Sequence, residues 1–186
     1  IDSFRISILP IKNVGFNEYK ITGTLDIRSA GKDVKYGLLL GESPNLSLEN
    51  AEDISIGVTR GSLDFNHTFT NLDTGKTFYV RAYGIGTKST EYSSNQLIGK
   101  LSPRINYAPD ILNYGRQITV ITNTLNITSD VPVKLFLNKT ELTITTRGTD
   151  FFTADIPAYI SPGKYKLTLS INNIDLQYEK EVLLLE

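Results

Sequence analysis

The side chains able to do acid–base, nucleophilic or metal chemistry are few in this 186-residue chain, and they are poorly spaced for it. The one histidine, His67, alternates with Phe65 and Phe69, which sets it at the margin of an apolar row. No serine or carboxylate stands at a spacing that would pair with it as nucleophile and base. Cysteine is absent, so disulfides, thiolate nucleophiles and zinc–sulfur sites are all excluded. Zinc held by nitrogen would need further histidines that the chain does not have. Glu49, Glu52 and Asp53 could offer oxygen ligands to calcium, but they lack the Asp-x-Asp spacing of a preformed loop and read as a solvated turn. The chain has 20 acidic residues, enough to contain a glycosidase pair. That chemistry needs two carboxyls facing across a cleft with one kept protonated by burial, and outward acids on a small domain provide no cleft. The expectation is a protein with no catalytic residue, no metal and no cofactor.

Binding chemistry is better supplied. Ten tyrosines and eight phenylalanines exceed what the cores need, and several fall on the outward parity of their strands. Tyr79 and Tyr83 flank Arg81, Tyr92 follows a Gly-containing loop, and Phe136 lies outward beside Lys134. Rings with a polar donor nearby can stack on sugars or anchor a protein partner. The competing expectation is that Tyr79 and Tyr83 pack across strands and shield the sheet. Tyr107 and Tyr159 are expected to fill a contact between domains. Asn66-His67-Thr68 and Asn138-Lys139-Thr140 match the glycosylation triplet, which by itself carries little weight.

These residues must be positioned by β-strands. Phe65, Phe69, Leu72, Phe78, Val80 and Ala82 alternate around the polar corner Thr70 to Lys76, the pattern of two half-buried strands joined across the end of a sandwich. Tyr19, Ile21, Gly23, Leu25 and Ile27 alternate with polar partners, as do Val34, Tyr36, Leu38 and Leu40. Strands are also expected at Phe4 to Leu9, Ile54 to Val58 and Tyr92 to Lys100, about seven in the first half. Ser29 to Asp33 turns the chain, Gly41 to Asn50 is a loop, and a single helical turn is expected near Leu48 to Asp53. Leu101-Ser102-Pro103 marks a boundary too short and apolar for a flexible tether. Beyond it, Ile118 and Val120, Val133 to Leu137, Phe152 to Ile156, Tyr165 to Ile171 and Leu176 to Leu185 form a second alternating set. The chain therefore reads as all-β, two tandem immunoglobulin-like β-sandwiches over residues 1–100 and 101–186.

Charge narrows the partners. Residues 1–100 carry 11 Lys and Arg against 11 Asp and Glu, and residues 101–186 carry 8 against 9, so neither half has the basic face that nucleic acid demands. No apolar run approaches the length of a membrane-spanning helix. The chain starts at Ile1 without a leader-like segment, so its targeting sequence, and any lipid anchor, is expected to lie outside it.

Two resemblances follow from the motifs. Residues 19–98, with Val34-Lys35-Tyr36-Gly37, Glu42-Ser43-Pro44-Asn45, Leu72 to Tyr83 and the Gly-containing loop after it, resemble the fibronectin type III-like modules of Bacteroidetes cell-envelope proteins. Residues 102–172 resemble the IPT/TIG family of Ig-like domains, through Ser102-Pro103-Arg104-Ile105, Tyr114 to Val120, Val133 to Asn138 and Ile156 to Tyr165. Two positions depart from the first family: Thr74 stands where a proline is usual, and Phe78 where a tyrosine makes the corner hydrogen bond. The second has the polar stretch Thr122 to Asn126 where a Gly-containing turn is usual. What the resemblance implies is a non-enzymatic structural or interaction module of a bacterial cell-surface protein, at the outer membrane or outside it. Its partners would be protein or polysaccharide. The alternatives are a glycan-binding protein of a polysaccharide-uptake system and an accessory module of a larger enzyme.

Overall fold

The computed structural model describes residues 3–29, 32–99 and 101–186, and all of their regular structure is β-strand. The chain divides into two compact units, Ile1–Leu101 and Ser102–Glu186.

In the first unit, strand β1 (Ser3–Ile8) and the short β2 (Lys12–Gly15) line one edge of the long β3 (Glu18–Ser29). Strand β6 (Leu63–Thr70) pairs along the other edge, Tyr19 opposite Phe69 and Gly23 opposite Phe65. The second sheet runs β5 (Glu52–Thr59), β4 (Val34–Gly41), β7 (Phe78–Ile85), and then β8 (Thr90–Tyr92) and β9 (Gln96–Ile98), which share the last edge of β7. Residues on the alternating inward parity of both sheets meet in one apolar core, among them Phe4, Ile21, Leu25, Leu38, Phe65, Val80 and Ala82. His67 sits half-buried at its margin, edge-on to Phe69 with ring centroids 4.8 Å apart.

The second unit holds β10 (Ile105–Tyr107), β12 (Gln117–Thr122), β15 (Phe151–Asp155) and β14 (Thr140–Arg147) in one layer. Strand β14 then crosses over: Thr140 to Leu142 pair with β13 (Val133–Leu137), whereas Thr143 to Arg147 pair with β15. From β13 the other layer continues through β16 (Gly163–Ile171) and β17 (Ile174–Leu185) to β11 (Ile111–Asn113), which runs parallel to β17. The β16–β17 hairpin turns on Asn172-Asn173, both at positive φ (49° and 64°), the backbone that a two-residue primed turn requires. Val120, Leu135, Leu137, Phe152, Leu167, Leu169 and Val182 are fully buried. The protein is all-β with Ig-like β-sandwich folds.

Several expectations are corrected. Leu48 to Asp53 holds no helix: Asn50 N–H donates to Ser47 O (3.3 Å), the turn closes, and β5 begins at Glu52. The expected strand Tyr92 to Lys100 is two short strands, because Ser93 intervenes and its hydroxyl accepts from Ala82 N–H (2.9 Å). Lys100 itself lies outside the described residues, as do Ala30 and Gly31 of the expected turn. The polar stretch Thr122 to Asn126 buries Leu125, with Asn126 at positive φ.

Register in the first unit is fixed by rings lying over opposing glycines. A β-carbon on Gly23 would stand 2.3 Å from Cζ of Phe65, its cross-strand partner. Gly23→Ala is therefore expected to cost about 1–3 kcal/mol by overpacking. Gly61→Ala, where nothing lies within 4 Å, should stay within about 0.5 kcal/mol. Urea denaturation of the two variants checks this, and equal midpoints would refute it.

Candidate functional site

Alternation along β7 turns Val80 and Ala82 into the core and Tyr79, Arg81 and Tyr83 to the opposite face of the sheet. Pairing extends that face sideways. Tyr83 stands between Tyr92 on β8 and Gly37 on β4, and Tyr79 between Leu97 on β9 and Gly41 on β4. Four of the five aromatic and basic residues singled out from the sequence are thereby gathered on one surface. Phe136 is half-buried on β13 in the second unit, opposite Glu141 and Thr168.

The surface is not bare. Tyr83 is fully buried, which corrects its expected availability to a ligand. It forms a small second core with Leu39 and Leu46, against which Tyr79, Tyr92, Ile85, Leu48 and Ala51 pack. The covering comes from the Gly41 to Asn50 loop, and Arg81 holds that loop down. Its Nε donates to Ser93 O (2.6 Å), its Nη1 donates to Leu46 O (2.9 Å), and its guanidinium carbon lies 4.9 Å from the centroid of the Tyr92 ring. Within the loop, Leu46 N–H donates to Asn95 Oδ1 (3.4 Å) and Asn50 Nδ2 to Asn45 O (2.9 Å). Arg81 thus acts as a structural tie. Tyr79 and Tyr92 remain partly exposed around it.

Tyr83 reaches Asp53, donating from its hydroxyl to Oδ1 at 2.5 Å, and Lys35 Nζ lies 3.9 Å from the other carboxylate oxygen. Burial first, then the hydrogen bond to Asp53 and its negative charge, push the Tyr83 phenol well above the ordinary tyrosine range. A phenol held neutral beside a carboxylate that accepts its proton in a hydrogen bond is a stable donor and a poor base. Asp53 of the acidic turn Glu49, Glu52 and Asp53 is thus engaged by Tyr83 and Lys35. Among the described residues no group of three or more His, Asp or Glu side chains converges as metal ligands.

Asp64 accepts from Thr24 Oγ1 (2.8 Å) on exposed strand surface. Asn138 of the second sequon both donates to Lys166 O and accepts from Lys166 N–H, each at 2.8 Å, which fixes the β13–β14 hairpin to β16. A row of residues that sequence reading did not single out as a site lies on the second unit: Tyr107, Ile121 and Phe151, all exposed. The available signal was a break in alternation, Val120-Ile121 and Phe151-Phe152 each placing two apolar residues in succession.

No protein-family model and no curated protein sequence matches the chain. Among solved structures it is similar to the SGBP-B protein from a complex xyloglucan utilization locus in Bacteroides uniformis, with 12% identity over 94% of this chain and 47% of that one (TM-score 0.36). A second similar structure, determined with xylogluco-oligosaccharide, is 13% identical over 97% of this chain and 39% of its own (TM-score 0.48). A third is SGBP-B of the Bacteroides ovatus mixed-linkage glucan utilization locus in complex with a mixed-linkage heptasaccharide, 11% identical over 88% and 40% (TM-score 0.35). The chain spans less than half the length of each of these proteins. At these identities the likeness concerns the fold.

The Tyr83–Asp53 bond makes a pH prediction. The folded-state phenol is raised above its unfolded value near 10, so its contribution to stability is complete below about pH 10 and is lost as pH rises toward the folded value. Tyr83→Phe should cost about 1 kcal/mol at pH 8 and lessen the alkaline fall in stability. Denaturation midpoints at pH 8 and pH 11 test this, and an undiminished alkaline fall in the variant would remove Tyr83 as its source.

Proposed function

We propose that this chain is a non-enzymatic pair of Ig-like modules belonging to a bacterial cell-surface protein of the glycan-binding kind, in which it serves as spacer and scaffold. The observation that carries this reading is the internal commitment of the polar groups on the candidate face. Arg81 is bound to two carbonyls of its own unit, and Asp53 is held by Tyr83. A catalytic or ligand-dedicated site would leave such groups converging on open space.

In this reading residues 1–100 form a fibronectin type III-like module and residues 101–186 an IPT/TIG-like one. The first assignment is supported by β5 pairing with β4 in the sheet of β7, whereas in an immunoglobulin constant domain the strand in that place joins the opposite sheet, beside the strand that follows it. The module stands at the envelope, on the outer-membrane surface or outside it. Among the described residues no helix is long and apolar enough to cross a membrane.

A second reading, glycan contact by the first unit itself, is favoured by the partly exposed Tyr79 and Tyr92 rings beside the Arg81 guanidinium. Tyr92→Ala separates the two, because Tyr92 belongs to the edge of the face and not to its buried centre. The scaffold reading expects no reducing sugar released from plant, microbial or host polysaccharides, and no effect of Tyr92→Ala on mobility in gels containing them. A release of reducing ends by the pure chain would sink it. A loss of retardation of about tenfold in Tyr92→Ala would place the contact on this face instead.

A further inference from the structure

The second unit carries a sheet face with a different character. Tyr107 on β10 pairs with Ile121 on β12, and Ile121 pairs with Phe151 on β15. Directly paired residues project to the same side of a sheet, so the three form one line across three strands. They are 53%, 38% and 37% exposed, while Val120 and Phe152, next along the strands, are fully buried. Strands lie about 4.8 Å apart, so Tyr107 and Phe151 stand about 10 Å apart, a span of the order of a disaccharide in an extended chain.

The rows that follow on the same face are polar. Thr119 and Thr153 are paired, with hydroxyls 3.1 Å apart. Beyond them Gln117 pairs with Asp155 and donates from Nε2 to its Oδ1 at 2.9 Å. From the apolar row to the amide and carboxylate row is four residues, about 14 Å. Phe151 is also held in place. A β-carbon on Gly148 would stand 2.3 Å from its Cε1, so the ring lies against bare backbone on one side.

We propose that this face is a binding platform for a neutral, extended polysaccharide, with the aromatic row stacking on sugar rings and the acceptor sites that the Thr hydroxyls, Gln117 Oε1 and the Asp155 carboxylate keep beyond their mutual bonds accepting from the sugar hydroxyls. It goes beyond the spacer role and rests on the glycan-binding setting proposed for the whole protein. The occupant follows from the chemistry of the rows. Among the described residues no lysine or arginine is paired into them, which disfavours acidic polymers and anionic lipid, and the Asp155 carboxylate repels both further. The apolar row is one residue deep, far short of the roughly 800 Å² per partner that a stable protein interface buries. Rings beside a few placed hydroxyl, amide and carboxylate groups are what a sugar chain needs from a shallow site.

Affinity electrophoresis of the full chain through hydroxyethylcellulose, galactomannan and polygalacturonate tests the proposal. Retardation is expected in at least one neutral polymer and not in polygalacturonate, weakened about tenfold by Tyr107→Ala and by Phe151→Ala. Phe151→Tyr should keep it, and Tyr92→Ala should leave it unchanged. Thermal melts show whether each variant is folded, and Tyr107→Ala carries the test if Phe151→Ala is not. No retardation in either neutral polymer overturns the proposal. So does retardation that only Tyr92→Ala abolishes, which would leave the glycan-binding reading standing on the other unit. Light scattering that shows a dimer dissociated by Phe151→Ala would also overturn it, by making the row a contact between copies.

Discussion

Aromatic rings occupy the space that a β-carbon on an opposing glycine would fill, and the first unit depends on this pairing. Phe65 lies over Gly23, Tyr83 over Gly37, Tyr36 over Gly57 and Phe4 over Gly84. Three of these pairs are direct cross-strand partners, so each of those rings reads the register of its neighbour. A slip of one residue would set a β-carbon beneath the ring and turn every core side chain to the wrong face. The chain has no cysteine, so no covalent link can enforce the same alignment. Register and core packing must do it alone.

The same constraint explains why the outer faces of the two units differ. Over Gly37 the Tyr83 ring packs with Leu46 of the loop and reaches Asp53, and Arg81 ties the loop down through Leu46 O. The first unit thus covers its own aromatic face with its own chain. In the second unit Phe151 rests on Gly148 in a similar way, but the segment after β12 turns Leu125 and Ile127 into buried positions instead of laying them across the sheet. Its aromatic row stays open. Burial of a ring, then, follows from where the next loop goes as much as from the strand that bears it.

That distinction also marks what could be read from the sequence. Strands β3, β4, β6, β7, β13 and β16 were legible because five or more residues alternate between a buried and a wet face, and period two is unambiguous at that length. Strands β2, β10, β11 and β14 were missed: at three or four residues alternation has nothing to repeat, and the eight residues of β14 carry only Leu142 and Ile144 as apolar members. The outward direction of Tyr83 was correctly read from parity, but parity states which side of a sheet a residue faces and not what lies above it. The row Tyr107, Ile121 and Phe151 joins positions up to 44 apart in sequence, and only the pairing of three strands brings them into line. Its local trace, apolar doublets at Val120-Ile121 and Phe151-Phe152, is indistinguishable from a fully buried strand until the sheet is in place.

The corner between β6 and β7 shows how a corner is tied down without a tyrosine hydroxyl. Phe78 has no polar atom in its side chain to bond the backbone there. Asn17, buried at positive φ in the β2–β3 turn, instead donates from its side-chain amide to Leu72 O at 2.8 Å. Asp73 adds a bond from Gly75 N–H at 2.8 Å, and Phe78 packs against the core. A carbonyl at such a corner must find a donor because leaving it unpaired under an apolar layer costs about 1–3 kcal/mol. The donor need not come from the neighbouring strand, and here a residue 55 positions away supplies it. The requirement is therefore set by the backbone geometry of the corner, and a residue distant in sequence meets it.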